Sequence, residues 1–551
     1  MGSPLRYSPA VASKFDYRAA ELIAVTTRPE IPSLFERRPL SQRAPQSVAT
    51  LLDDVVARSP DREALVDKSG RYTYGQLDAI VGRASSALHG LGVRAGDRVA
   101  LSAPNSADLV IAFLATQRLG AIWVGINGIL APPEKSFILR DAGVSVFIAD
   151  MKSAAEIEPC RTDLPELRHL IREDIEWPAL LAEASPLPRA DVDPFAPAAI
   201  AYTSGTTGFP KGAVHSQHNL VLIGAVHRTL GELDENTRHG CVLPLTILNL
   251  MVLQPLIAFQ CGGAAICIDR VDAVTFADWI ARERISHFSG VPTMIYDLLK
   301  NPAIVPDRIR TLRRPLVGGA EIPEALCTAY RERFGSEVLV GYGMTEAPTA
   351  VTMTDGRRPW QPGICGAPLP HVEVVVVNEE DRELPPGEVG EICVGPRTRG
   401  PWAGAYTPML GYWKRADATR AAFRSGRFHT GDLGMLDGDG WLYFRGRLND
   451  LIIRGGANVY PAEIERVLQE DTRVQGCAVI GRPDERLGER VIAVVELAPG
   501  AAATADELRA HCSANLARYK VPEDFVYVRE LPRNAMGKVQ KREVKERWGR
   551  S

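Results

Sequence analysis

From Ser47 onward the chain alternates between helix-period and strand-like apolar patterns. Thr73-Tyr74-Gly75-Gln76 has the form of a capping box, because the Thr hydroxyl can accept from the first turn while Gln reaches back. The helix that follows sets Leu77, Ile80, Val81, Ala84 and Leu88 on one face and runs out at Gly90 and Gly92. Short apolar runs at 97–102, 121–126, 147–150, 199–202, 264–268, 316–318 and 338–341 predict buried strands between helices. Asn105 and Ser106 stand where caps of the second helix belong. Strands alternating with helices predict an α/β fold of mainly parallel sheets covered on both faces. Residues 373–394 differ. Their Val-rich alternation around Pro385-Pro386-Gly387 predicts an antiparallel hairpin in a small β-barrel-like region.

Near Leu448 the pattern changes again. A strand at 451–454, a Gly455-Gly456 turn and a helix opening at Pro461 come first, with Ile464, Val467 and Leu468 as the helix's apolar stripe. Strands at 477–480 and 491–497, a helix at 506–517 and a strand at 525–528 follow. This predicts two domains, a large N-terminal one over 1–448 and a small mobile α+β one over 449–551. The first ~45 residues, rich in Pro and Arg without a period, are expected to wrap the surface. The uncharged stretch 241–268 tests the globular reading, since a membrane helix needs only ~20 apolar residues. Pro244, Asn249, Gln254, Pro255, Gln260 and Gly262-Gly263 divide it, which predicts a buried helix and then a buried strand at 264–268.

Composition narrows the classes. A length of 551 residues suits roughly three to four structural units. With 45% hydrophobic and 24% charged residues the chain is globular rather than disordered or fibrous. Lys and Arg number 64 against 67 Asp and Glu, a net −3 that disfavours nucleic acid as a partner. The nine Cys include no Cys-x-x-Cys pair, so scattered reduced thiols explain them better than disulfides or zinc. The N-terminus lacks the apolar core of a secretion signal, and Arg6 replaces the Ser or Thr of a myristoylation signal. The expectation is a cytoplasmic protein without a membrane span.

Thr203-Ser204-Gly205-Thr206-Thr207-Gly208-Phe209-Pro210-Lys211-Gly212 follows a predicted strand. Glycines let backbone amides approach oxygen atoms, hydroxyls donate further bonds, and Lys211 adds a point charge, a chemistry suited to phosphates. It is not a Walker A loop, because Pro210 and Gly212 occupy the positions of its second Gly and its Ser/Thr.

This loop resembles the phosphate-binding signature of the adenylate-forming superfamily: acyl- and aryl-CoA synthetases, carrier adenylation domains and luciferases. Gly341-Tyr342-Gly343-Met344-Thr345-Glu346 resembles the second signature. Gly431-Asp432, then Gly446-Arg447 with 455–465, resemble the third and fourth, and Leu531-Pro532-Arg533-Asn534-Ala535-Met536-Gly537-Lys538 the last. All five stand in the family order.

The resemblance implies an AMP-forming acid–thiol ligase that uses ATP, Mg2+ and coenzyme A on a small-molecule carboxylic acid. It implies that Thr203, Ser204, Gly205, Thr206, Thr207, Gly208 and Lys211 hold the β- and γ-phosphates, that Thr345 touches phosphate and that Glu346 carries the metal. Tyr342, beside Gly341, would stack on adenine. Gly318, Gly319 and Ala320 would lie near nucleotide or acyl group. Asp432 would accept from the ribose hydroxyls, with Arg447 nearby, and Lys538 would be the adenylation lysine. Asn449 falls at the hinge, more often Asp or Lys, and Gly455 and Gly456 would pass the pantetheine arm. Ile247, Leu248, Asn249 and Met251 fall on the acyl-pocket wall, where an apolar medium-chain, alicyclic or aryl acid is expected. Two departures stand out. The usual Pro-Leu-Phe-His reads Pro244-Leu245-Thr246-Ile247, without the aromatic gate, and Gln217 replaces a common His. Two other readings stay open: a ligase loading a separate carrier protein, and an inactive nucleotide-binding scaffold. A homodimer is left open too.

Overall fold

The computed structural model describes residues 47–549 apart from 188, 204–209, 232, 270–271, 321, 455–456, 485 and 535–536. The expected N-terminal wrapping segment therefore lies outside the described residues. Three sheets organise the rest. The first has seven strands in the order Gly411–Tyr412, Lys211–Ser216, Pro197–Thr203, Ile122–Gly125, Arg98–Ser102, Val146–Ala149 and His169–Arg172. Its last five strands are mutually parallel, and Lys211–Ser216 turns back against Pro197–Thr203.

The second sheet has fourteen strands. Its parallel part runs Leu339–Met344, Leu316–Gly318, His287–Gly290, Arg238–Cys241, Ala264–Cys267 and Glu63–Val66. Beyond Leu339–Met344 the pairing becomes antiparallel through Ala347–Met353, Ile364–Pro368, Leu442–Arg447, Arg427–Leu436, Gly390–Pro396 and Val372–Val377. The hairpin expected around Pro385-Pro386-Gly387 is the last pair of this series. The third sheet is drawn entirely from residues after 451: Ala457–Val459, Ile452–Arg454, Gly488–Leu497 and Val474–Asp484, with Asp524–Val528 parallel to Gly488–Leu497.

Helices fill the space between the first two sheets. Tyr74–Gly90 begins with the capping box that the sequence predicts, Thr73 Oγ1 accepting from Gln76 N and Gln76 Oε1 accepting from Thr73 N. Ala107–Arg118 and Gln217–Leu230 are buried on nearly every side, as helices between two layers must be. One apolar cluster joins Val99, Trp123 and Ile148 of the first sheet to Leu65, Cys267 and Met353 of the second through these helices.

Two local results depart from expectation. Ser106 caps Ala107–Arg118 by accepting from Leu109 N, but Asn105 does not. Its buried amide donates to Cys241 O, Leu243 O and Ile268 O at 3.0, 3.0 and 3.2 Å and accepts from Leu245 N at 2.9 Å. It thereby pins the segment that leads to Thr246. Asn105→Leu leaves these backbone groups buried without partners, and thermal unfolding should show a loss of ~3 kcal/mol or more, at 1–3 kcal/mol per group.

The second departure is the helix within 241–263, which forms in three parts. Leu248–Met251 and Ile257–Cys261 are α-helical, and Val252–Leu256 between them widens to a π-turn around Pro255. Proline has no N–H to donate, and its ring crowds the carbonyl four residues back, so the ladder opens by one residue there. No helix among the described residues is long and apolar enough to cross a membrane.

Candidate active site

A cleft of about 4070 Å3 opens where the C-terminal ends of the parallel strands meet residues of the third sheet's unit. At one end the Pro197–Thr203 and Lys211–Ser216 hairpin brings Thr203 opposite Lys211. Ser204, Gly205, Thr206, Thr207 and Gly208 lie outside the described residues; Thr203 and Lys211 both line the cleft. Lys211 Nζ stands 5.4 Å above the Tyr412 ring, and Tyr412 Oη donates to Glu346 Oε1 at 2.9 Å. The Thr345 carbonyl meets His215 Nε2 at 2.8 Å. Burial pushes His215 down to about 3, so its ring is neutral and donates there. A cation, a carboxylate and a hydroxyl residue thus converge on one wall.

The second group centres on Asp432, 2% exposed on Arg427–Leu436 and in register with Arg447 on the neighbouring strand. Tyr342 Oη donates to Asp432 Oδ2 at 2.7 Å. Arg447 Nε lies 2.8 Å from Oδ1, yet its N–H is not aimed at that oxygen, so buried Oδ1 accepts no hydrogen bond. Burial raises the Asp432 carboxyl above its ordinary range, against the pull of Arg447, the Tyr342 hydrogen bond and Lys538. Lys538 keeps contact with solvent but stands within the cleft walls; dehydration first, and then repulsion from Arg447, lower its proton affinity. An unsatisfied buried acceptor flanked by two cations suits a hydroxyl-bearing, anionic ligand.

Lys538 is carried by a hairpin between Arg533 and Val539. Asn534 N donates to Lys538 O at 2.8 Å, and Lys538 N to Asn534 Oδ1 at 2.9 Å. Gly537 closes this turn at φ +73°, in the left-handed region that favours glycine. Asn449 sits in a short 3-10 turn, Leu448–Asp450, at the edge of the cleft. Gly455 and Gly456 lie outside the described residues.

Ile247, Leu248, Asn249, Gly319, Ala320, Gly341 and Tyr342 line the cleft. Two expected residues do not. Met251 is 0% exposed in the central core, on the same helical side as Leu248 but packed wholly among apolar neighbours. Gly318 pairs with Gly341 within the sheet and does not itself reach the cleft wall. Gln217, which stands where a His is common, is a fully buried core clamp. Its amide donates to Gln117 Oε1 and accepts from Ala49 N. The wall is close-built at Gly125, where a Cβ would come within 1.8 Å of Thr246 O.

Three groups went unseen in the sequence. Tyr412 and His215 belong to no recognised motif; Tyr412 acquires meaning by pairing with Ala213 in the first sheet, and His215 by reaching Thr345 at the end of a strand of the second. Glu391 accepts from Gly431 N at 3.0 Å, so it braces the turn before Asp432. Its other oxygen, with Cys393 Sγ and His429 Nδ1, forms a cluster of metal-ligand type. Arg424 Nη2 lies 2.8 Å from that Nδ1 and 3.3 Å from Glu391 Oε2, so a guanidinium already fills the place of a cation.

Residues 52–413 match the family described as AMP-binding enzyme, and residues 463–538 its C-terminal domain. The chain belongs to the AMP-binding enzymes. The reaction class read from the motifs, an AMP-forming acid–thiol ligase using ATP and CoA, comes with that membership. Among relatives, the chain is 34% identical over 512 residues to a long-chain-fatty-acid–CoA ligase, FadD13, of Mycobacterium tuberculosis, covering 91% of this chain and 99% of that one. It is 35% identical over 501 residues to a feruloyl-CoA synthase of Amycolatopsis sp, covering 89% and 97%. The fold matches the anthranilate CoA ligase AuaEII in complex with anthranoyl-AMP, with a TM-score of 0.83, 27% identity and coverage of 93% and 98%.

Proposed function

We propose that this AMP-binding enzyme joins an apolar carboxylic acid to coenzyme A through an acyl-AMP intermediate. The observation that carries the reading is the meeting of Lys538, Arg447 and the unsatisfied Oδ1 of Asp432 in one cleft with Lys211 and Glu346. In the first half-reaction a carboxylate oxygen bonds to the α-phosphorus, the bond to the bridging oxygen breaks, and pyrophosphate leaves. A carboxylate is already a nucleophile at neutral pH, so the work is placing two anions together and offsetting their charge. Thr203, residues 204–208 and Lys211 hold the β- and γ-phosphates, with Thr345 beside them. Glu346, held by Tyr412, would be the residue to hold Mg2+, which would offset phosphate charge there. Asp432 Oδ1 accepts from the ribose, and Tyr342 offers its ring to the base while its hydroxyl stays on Asp432. Lys538 bridges the α-phosphate and the attacking carboxylate. In the second half-reaction the CoA sulfur bonds to the acyl carbon and AMP departs. The small domain rotates about Asn449 between the two.

The acid's class follows from the wall at 246–252, where Ile247 and Leu248 face the cleft and no cation occurs. A dicarboxylate such as malonate would leave its second charge desolvated and unpaired. Each matched methylene adds roughly 1 kcal/mol, so acetate should be poor too. Steady-state kcat/KM across acetate, malonate, hexanoate, octanoate, benzoate and cyclohexanecarboxylate, with ATP and either CoA or a holo-carrier protein, tests this reading. Octanoate or a ring acid should exceed acetate and malonate by about 100-fold or more with CoA. A preference for acetate or malonate refutes the apolar pocket, and product only with the carrier refutes CoA as acceptor.

A further inference from the structure

Lys541 occupies a place that local physics disfavours. It is the first residue of the terminal helix Lys541–Trp548, where a cation opposes the helix dipole. Its ammonium is turned inward rather than to water: Nζ lies 2.8 Å from Glu465 Oε1, on helix Pro461–Gln469, and 3.9 Å from Asp450 Oδ2. Glu465 Oε1 also accepts from Val479 N at 2.7 Å, so the carboxylate is anchored to the third sheet. Burial works against the charge on Lys541, and Glu465 with Asp450 outweigh it. A local rule broken and compensated by two well-placed acids is the mark of a position with a task.

The geometry of the neighbours shows what that task is. Asp450 follows the hinge residue Asn449 directly, and Lys541 follows the catalytic-loop lysine by three positions. The link between Lys538 and Lys541 is stiff, because Gln540 N donates to Pro532 O at 2.8 Å and its side chain to Arg533 O at 3.3 Å. We propose that Lys541 is a positioning residue, tying the hinge-adjacent Asp450 and Glu465 to the base of the Lys538 hairpin so that rotation at Asn449 delivers Lys538 to the cleft at fixed depth. Without this tie the segment after Asn449 and the hairpin would turn as separate pieces. The consequence is confined to the half-reaction that uses Lys538. The inference rests on the adenylation role given to Lys538 above.

The test measures the two half-reactions separately in the full-length enzyme: pyrophosphate release from ATP and octanoate, or whichever acid in the panel is best, and thioester formation from supplied acyl-AMP and CoA. Lys541→Met should lower the first by about 10- to 100-fold, the scale of a misplacement near 1 Å. It should leave the second near wild type, which also shows that the domain is folded. Lys541→Arg, which keeps the charge and reach, should restore the first. Unchanged adenylation in Lys541→Met, an equal fall in both half-reactions, or no rescue by Arg would each overturn the proposal. Lys538→Ala run alongside separates the two layers. If it keeps adenylation, the underlying reading fails; if it loses adenylation while Lys541→Met does not, only the role of Lys541 fails.

Discussion

Lys538→Ala should lower acyl-AMP formation by about 10²–10³-fold, the usual cost of removing one group aimed at charge that develops in a transition state. Thioester formation from supplied acyl-AMP should stay within a few-fold of wild type. The warrant is positional. Lys538 shares the cleft with Arg447 and Asp432, which act on its charge, and no step of thiol attack on an acyl carbon requires it there. The charge also carries a pH signature. Its proton affinity is lowered by dehydration and by Arg447, and only the protonated form offsets phosphate charge. Adenylation should therefore fall on the alkaline side below the ordinary lysine value of 10.5, and Lys538→Arg should move that limb upward. Equal losses in both half-reactions would show that Lys538 supports the fold rather than the chemistry.

Asn449→Pro should divide the two half-reactions in the opposite sense. Asn449 lies inside the 3-10 turn Leu448–Asp450, whose backbone angles are close to the φ that proline imposes. Leu451 N donates to Leu448 O at 3.4 Å, and that bond does not involve the amide that proline lacks. The state with Lys538 in the cleft can thus accept proline at the modest cost of crowding Leu448. A rotated state needs a different φ/ψ pair at the hinge, and proline removes that freedom. Adenylation should stay within about 10-fold, while thioester formation from acyl-AMP and CoA should fall by about 100-fold or more. Rapid-quench measurement of each step decides it. If both steps match wild type, the rotation is not centred on Asn449.

Both predictions draw on a site that is partly legible in the order of residues alone. Lys211 stands out by the Gly- and hydroxyl-rich loop around it, while Glu346, Asp432 and Lys538 stand out because the short segments that carry them resemble the superfamily's signatures. Helix starts are legible too. A capping box at Thr73 and a proline opening the helix at Pro461 act within one turn of chain, and both form where the sequence predicts them.

What the sequence could not say depends on contacts between distant segments. Asn105 looks like a cap beside Ser106, yet its amide serves carbonyls more than 130 residues away, because only the folded sheet brings Cys241, Leu243 and Ile268 around it. Met251 and Leu248 share an apolar stretch, one side of a helical turn and one core cluster, and only the packing of distant neighbours decides that Leu248 also borders the cleft while Met251 does not. Tyr412 carries no motif and comes to Glu346 only through strand pairing with Lys211–Ser216. Periodicity suffices for the α/β class, and the resemblance of short motifs for the family and the main charged groups, because both are written in the chain as a string. Which side chains face the cleft, what holds them there and how Lys541 joins the hinge to Lys538 emerge only on folding, because burial and long-range hydrogen bonding are properties of packed neighbours and not of the chain in order.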